Sequence, residues 1–300
     1  GLLSFCGCAT DNGLPEESFY RDEMRFFVAD IAQYGRQSVS DFIVIPQNGH
    51  DLFTLSGDPD GEPASAYLSA ISGAGQEDLF YGYTDDDVAT PSDERTYLMG
   101  LLDLGESNGV EALVTDYCWT LSNMDNSYAQ NELQGYISFA ADDRDLRTIP
   151  DYPAAPHNAN SSNIAELGDA KNFLYLLDPS GFPSKTSLLS ALQATNYDVL
   201  IIDYYFSETE PLTLADVSSL KTKQNGGSRL VISYMSIGEA EDYRYYWQST
   251  WESNPPSWLA GENPDWPGNY KVEYWDPDWQ AIIYGSANAY LDRIIAAGFD

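Results

Sequence analysis

Apolar runs that alternate with helical patterns, one of them as dry as Val199-Leu-Ile-Ile202, predict an α/β fold. A continuously apolar strand set between helices belongs to a parallel sheet covered on both faces. Seven such strands can be read, and the chain opens on a helix with no strand before it. It closes on Ala296-Ala-Gly-Phe-Asp300, which reads as a glycine-capped helix end and the start of one more strand. An eighth strand lying between the last helix and the first would close a circle. The expectation is a (β/α)8 TIM-type barrel in circularly permuted order, its last strand truncated at the C-terminus. A doubly wound open sheet would call for a Gly-x-Gly-x-x-Gly turn after the first strand, and none is present there.

Taken in order, Gly1 to Thr10 resembles the end of an export signal whose basic start is missing, so the chain is expected to begin part-way through a precursor. Cys8, preceded by the small Gly7, is a candidate for lipidation and hence for membrane attachment. The expected location is extracellular or the cell envelope, which the scarcity of internal cysteine suits. Residues 10–18 are polar and rich in turn formers, so 1–18 read as leader remnant and tether and 19–300 as one barrel. Met24, Phe27, Val28, Ile31 and Tyr34 then fall at helical spacing. Strands are expected at 42–46, 78–81, 112–116, 135–140, 172–177, 199–203 and 230–235, and helices at 94–104, 185–194, 214–224 and 279–297. The Asp-, Pro-, Asn- and Ser-rich stretch 142–170 joins the two halves.

Composition narrows the chemistry. Against 14 Lys and Arg stand 47 Asp and Glu, a formal charge of −33, which repels phosphate backbones and argues against nucleic acid as a partner. With two histidines, His50 and His157, far apart in sequence, a His–carboxylate pair or a His-rich zinc site is not expected. Cys6, Cys8 and Cys118 make no disulfide framework, and Cys118 reads as a small buried residue. The acidic loops 57–61 and 84–87 read as solvated surface, so neither metal nor cofactor is expected. A monomer is expected.

In parallel barrels, active sites form where strands end. Those ends supply Gln47 and Asn48, Tyr81, Asp116 and Tyr117, Asp178, and Asp203; Ser236-Ile-Gly-Glu-Ala-Glu241 follows the 230–235 strand. Acidic residues gathered at one end, with no histidine to partner them, suggest a carboxylate-lined cleft. Glycoside hydrolysis needs two carboxyl groups flanking the scissile bond. Asp203 emerges from a dry strand, and Glu239 and Glu241 would share one side of an extended segment, with Arg244 the obvious salt-bridge partner. Aromatic residues crowd 243–279, where rings can stack on sugar faces while other rings form core.

The blocks Asn172–Leu177, Tyr197–Asp203, Val231–Arg244 and Gly298–Asp300 resemble glycoside hydrolase family 114, the endo-α-1,4-polygalactosaminidases and relatives labelled cysteinyl-tRNA-synthetase-related. Phe42–Gly49, Glu77–Gly82 and Val114–Cys118 also look like family material, placed before the other blocks as in a circular permutation. The resemblance spans roughly residues 20–300, and Ser236–Glu241 is its most specific part. It implies a barrel cleaving α-1,4-linked galactosamine-rich polysaccharide with two carboxylates, Asp203 as nucleophile and Glu241 as acid/base. Glu239, Asp116, Tyr117, Gln47, Asn48, Tyr81, Asp178, Tyr234 and Arg244 would bind substrate. The family's next strand, continuing from Gly-Phe-Asp300, is absent here. A partly deacetylated amino-sugar polymer is cationic, so an acidic cleft would concentrate it. The rival expectation is a non-catalytic carbohydrate-binding surface protein on the same barrel.

Overall fold

The computed structural model describes residues 17–300; the lipidation candidate Cys8 and most of the proposed tether lie outside them. The first helix, α1 (Glu17–Ser38), buries Phe27, Val28 and Ile31 on one stripe, as the spacing predicts. A short α2 (Ser65–Leu68) leads into β1 (Gly73–Glu77). Then come α3 (Ser92–Ser107), β2 (Glu111–Tyr117), α4 (Leu121–Gln134) and β3 (Ile137–Ala141). β1, β2 and β3 form one parallel sheet in that order.

A second parallel sheet is assembled from the other half of the chain. β4 (Phe173–Leu176), α5 (Lys185–Gln193) and β5 (Val199–Asp203) are followed by a small hairpin, β6 (Tyr205–Ser207) with β7 (Glu210–Pro211). After α6 (Leu214–Leu220) comes β8 (Leu230–Tyr234), and the sheet order is β4-β5-β8. Beyond it β9 (Glu239–Glu241), β10 (Leu259–Glu262) and β11 (Asn269–Val272) make a separate antiparallel sheet in the order β10-β11-β9. The chain ends through α7 (Pro277–Ile283) and α8 (Tyr290–Ala297), and Gly298, at φ 86°, caps α8 as its position predicts.

The two parallel sheets share a core. Leu113, Tyr117 and Phe139 from the first pack with Phe173, Leu200 and Val231 from the second, and the Phe139 and Phe173 rings lie 5.7 Å apart. Burying each aliphatic side chain of this kind contributes about 1.5–3 kcal/mol. No ladder joins β3 to β4 among the described residues, so the ladders stop short of a closed barrel. On the far side, the extended segment 42–47 runs beside β1, with Gln47 bridged to Gly75. Its other edge receives Asp300: Ile43 N donates to Asp300 O, and Asp300 N donates to Val231 O of β8. A cavity of about 470 Å³, walled mostly by apolar side chains, separates 42–47 from β8.

Three expectations need correction, and one helix went unforeseen. The strand expected at 78–81 is the segment 73–77: Gly73-Ala-Gly-Gln has weak strand propensity, and the apolar Leu79-Phe-Tyr that follows fills the space beside α3 and α4 instead. The segment 42–46 is extended but forms no strand ladder, since Pro46 has no N–H to donate. The long helix 279–297 is two, broken where Gly285 takes φ 105°. Finally, α4 is too polar to stand out by apolar periodicity.

Candidate active site

Where β5 and β8 end, Asp203 and Tyr234 are register partners. The chain then turns into β9, which stays extended because β11 pairs with it, Asn269 opposite Glu241 and Lys271 opposite Glu239. Glu239 and Glu241 are two apart on this strand and share a face, while Ala240 is buried on the other. A tight turn follows, in which Arg244 N donates to Glu241 O. It brings the Arg244 side chain back across the strand end.

Arg244 ties the two carboxylates together. Its Nη1 and Nη2 donate to Asp203 Oδ1 and Oδ2 at 3.0 and 2.6 Å, and its Nε donates to Glu241 Oε2 at 2.8 Å. Nη2 also reaches Glu241 Oε1 at 3.3 Å, so Asp203 Oδ2 and Glu241 Oε1 lie within about 6 Å of each other. Burial opposes the guanidinium charge, but its hydrogen bonds to Asp203 and the charges of Asp203 and Glu241 outweigh it and hold Arg244 above its ordinary pKa. The rings of Tyr243, Tyr205 and Tyr290 stand 5.2, 5.5 and 5.7 Å from its central carbon. Tyr243 donates to Glu241 Oε1 at 2.7 Å, and burial together with the Glu241 charge pushes its hydroxyl up. The Glu241 side chain is 2% exposed, that of Asp203 12%, and Tyr243 as a whole 37%, so Tyr243 covers Glu241 from the solvent side.

A second polar centre lies at the ends of β1, β2 and β3. The Tyr117 hydroxyl and Asn48 Nδ2 both donate to Glu77, and Asn48 Oδ1 accepts from Glu77 N. Arg144 lies over the Tyr117 ring at 3.9 Å and donates to Asp78, Asp86 and the Gly82 carbonyl. Tyr175 packs in one core with Tyr117 and lines the same cavity as Tyr234. Burial first, then the charge of Glu77 and the proximity of Tyr234, push its hydroxyl well above the usual range.

Of the residues singled out from sequence, Asp203, Glu241, Arg244 and Tyr234 come together at one centre, and Asn48 and Tyr117 at the other. Glu239 accepts from Asn263 Nδ2 at 2.7 Å. Gln47 lines the cavity beside β8 and lies so close against Gly75 that an added Cβ there would clash with its amide oxygen. Asp116 is placed away from both centres: fully buried, it accepts from Phe80 N, Tyr81 N, the Ser127 hydroxyl and Asn131 Nδ2 and so organises the turn after β1. Tyr81 points towards α4 and bonds Asn126, and Asp178 accepts from Ser180 N at the head of a short 3-10 turn. The Cys118 thiol is buried, and burial pushes it up, which suits a packing residue and not a nucleophile. Among the described residues no group of three or more His, Cys, Asp or Glu is disposed to hold a metal ion.

Residues 154–300, the stretch that carries the Asp203–Arg244–Glu241 cluster, match the family model described as glycoside-hydrolase family GH114. Over that stretch the chain is similar to GH114. Uncharacterized proteins resemble it: one from Methanocaldococcus jannaschii is 38% identical over 140 residues, covering 47% of this chain and 37% of that protein. One from Deinococcus radiodurans is 43% identical over 112 residues, 37% of this chain and 33% of its own length. One from Thermotoga maritima is 37% identical over 108 residues, 36% and 32%. The chain thus spans about a third of the length of the curated relatives it matches. The GH114 stretch contains the whole arginine-linked pair, whereas Glu77, Tyr117 and Arg144 lie before it.

Glu77, Arg144, Tyr175 and the ring cage around Arg244 are the site features that sequence reasoning missed. The signal for Glu77 was the polar Gln76-Glu77 pair ending a glycine-rich strand, hidden because the strand itself was displaced to the apolar run after it. Nothing local marks Arg144, whose partners are 58 and 66 residues away.

Proposed function

We propose that this protein is a retaining endo-glycoside hydrolase acting on α-1,4-linked, galactosamine-rich polysaccharide, with Asp203 as nucleophile and Glu241 as acid/base. One observation carries the pair: a single arginine nitrogen reaches both carboxyl groups, which keeps their nearest oxygens within about 6 Å. Carboxyl groups stand about 5–5.5 Å apart in retaining glycosidases and roughly 6.5–9.5 Å apart in inverting ones, so the pairing supports retention. The match of residues 154–300 to the GH114 model supports glycoside hydrolysis. The choice of sugar rests on the resemblance of the Ser236–Glu241 block and on the acidity of the chain.

In this reading Glu241, ionised while Arg244 and Tyr243 donate to it, takes up a proton from solvent as substrate displaces Tyr243. An Asp203 oxygen then attacks the anomeric carbon as the glycosidic C–O bond breaks, and that proton passes to the departing oxygen. Water then attacks the glycosyl ester, Glu241 takes its proton, and the Asp203 carboxylate is released. Arg244 fixes the position of both carboxyls through each step. Tyr243 swings aside to admit the leaving sugar, exchanging its bond to Glu241 for one to the substrate or solvent. The same reading takes 19–300 as one permuted barrel, in which Phe299–Asp300 begins the strand between β8 and 42–47. Export, with anchoring through Cys8, belongs to it as well.

The test is incubation with deacetylated and fully acetylated α-1,4-galactosamine polymers, with oligosaccharide release followed by mass spectrometry. Asp203→Asn and Glu241→Gln should each lower the rate by about 10²-fold or more. The first product released should keep the anomeric configuration of the bond. Undiminished release by both variants would overturn the assignment of the pair.

A further inference from the structure

The carboxylates at the strand ends divide by the kind of partner they have. Asp203 and Glu241 share the Arg244 guanidinium, and Asp78 and Asp86 share that of Arg144. Each group of two carboxylates has its own cation. Among the described residues Glu77 has no cationic partner within salt-bridge distance, only the neutral donors Asn48 Nδ2 and the Tyr117 hydroxyl. Arg144 is near, but it sits over the Tyr117 ring, and its hydrogen bonds go to Asp78, Asp86 and Gly82. Glu77 is half-buried, so its charge is neither lost in bulk solvent nor cancelled by the protein.

Position joins Glu77 to the catalytic pair. Tyr175, 6% exposed, belongs to the same core cluster as Tyr117, the donor to Glu77, and lines the same cavity as Tyr234. Tyr234 is the register partner of Asp203. Tyr175 and Tyr234 both line the cavity that Gln47 borders, and Gln47 is the chain neighbour of Asn48, which holds Glu77. Glu77 ends β1 and Asp203 ends β5, so a polymer crossing the strand ends would present one sugar to Asp203 and Glu241 and a neighbouring one to Glu77.

We propose that Glu77 is a specificity-determining residue that takes the 2-ammonium group of a deacetylated galactosamine unit bound next to the Asp203–Glu241 pair. The proposal rests on the functional reading above. An ammonium offers three donors to a carboxylate whose existing partners are all neutral; an acetamido group at the same place offers one N–H and no charge. The arginine-linked carboxylates cannot serve this purpose as well, because a second cation beside either guanidinium would be repelled.

Glu77→Gln should raise KM for the deacetylated polymer by about tenfold or more, the scale of a hydrogen bond to a charged group. Its kcat should stay near that of the unaltered protein, and its kinetics on the acetylated polymer should not change. Glu77→Asp should recover part of the loss. Glu77→Ala serves alongside, since the Gln amide would face the Asn48 amide, and thermal unfolding of each variant reports its folding. An equal rise in KM on both polymers, or a fall in kcat with KM unchanged, would overturn the proposal. Should the unaltered protein cleave neither polymer, the hydrolase reading fails and the Glu77 proposal is tested by binding. In that case tryptophan fluorescence is titrated with deacetylated oligosaccharide: weaker binding by Glu77→Gln supports it, and equal affinity ends it.

Discussion

His50 and Asp116 are both buried, and their protonation pulls stability in opposite directions as pH changes. Burial holds His50 down to about 4, with neither ring nitrogen bonded among the described residues and the ring stacked 5.0 Å from Phe53. Between pH 4 and 6.5 the unfolded chain therefore binds more protons at this position, so its contribution is present above 6.5 and lost as pH falls. Asp116 is pushed up to about 6 by burial, against its hydrogen bonds from Ser127, Phe80, Tyr81 and Asn131. There the native state binds the extra proton, and stability falls as pH rises from about 4 to 6. Each effect is worth about 3 kcal/mol. Urea unfolding from pH 4 to 7 separates them. His50→Phe should tilt the dependence towards stability falling as pH rises, and Asp116→Asn towards stability rising; variants parallel to the unaltered protein would remove this account.

At the scale of elements, the N-terminal ends of the second sheet are held by one buried ion pair. Lys223 Nζ donates to Asp198 Oδ1 at 2.7 Å with both side chains fully buried, while Asp198 Oδ2 accepts from Lys171 N and Asn160 Nδ2. Asp198 thereby fastens the irregular 142–170 segment and the start of β4 to the start of β5. Lys223→Met leaves a buried carboxylate without its cation and should cost about 3–5 kcal/mol. The double variant Lys223→Met, Asp198→Asn should cost less than the sum of the single changes when unfolding free energies are compared in a cycle. Elements differ in how plainly the sequence announces them. Val199–Asp203 is legible to the residue because four apolar side chains in a row fit only a strand covered on both faces. β1 is not, because its Gly75 is present to let the Gln47 side chain approach, a tertiary contact that no local propensity encodes.

For the whole molecule, a formal charge of −33 raises the local concentration of a polycation and speeds its capture. KM for the deacetylated polymer should therefore rise as salt is raised from about 10 mM to 150 mM, where the screening length shrinks to about 8 Å, with kcat little changed. A KM that ignores salt would separate the charge from substrate capture. The same scale shows what the sequence by itself determined: parallel α/β architecture, and the acidic strand ends among which Asp203 and Glu241 stand out. These follow from runs of apolar side chains and from residue types present or scarce, which are local or compositional properties. Tertiary structure decided the rest. It withdrew Asp116 into the packing against α4, because a strand sends alternate side chains to opposite faces and a one-residue difference changes the side, and it turned Tyr81, beyond the end of β1, towards the same helix. It also set Arg244 between two carboxylates from separate strands and left Glu77 with neutral partners alone, since which charges meet depends on contacts 29 to 66 residues apart along the chain.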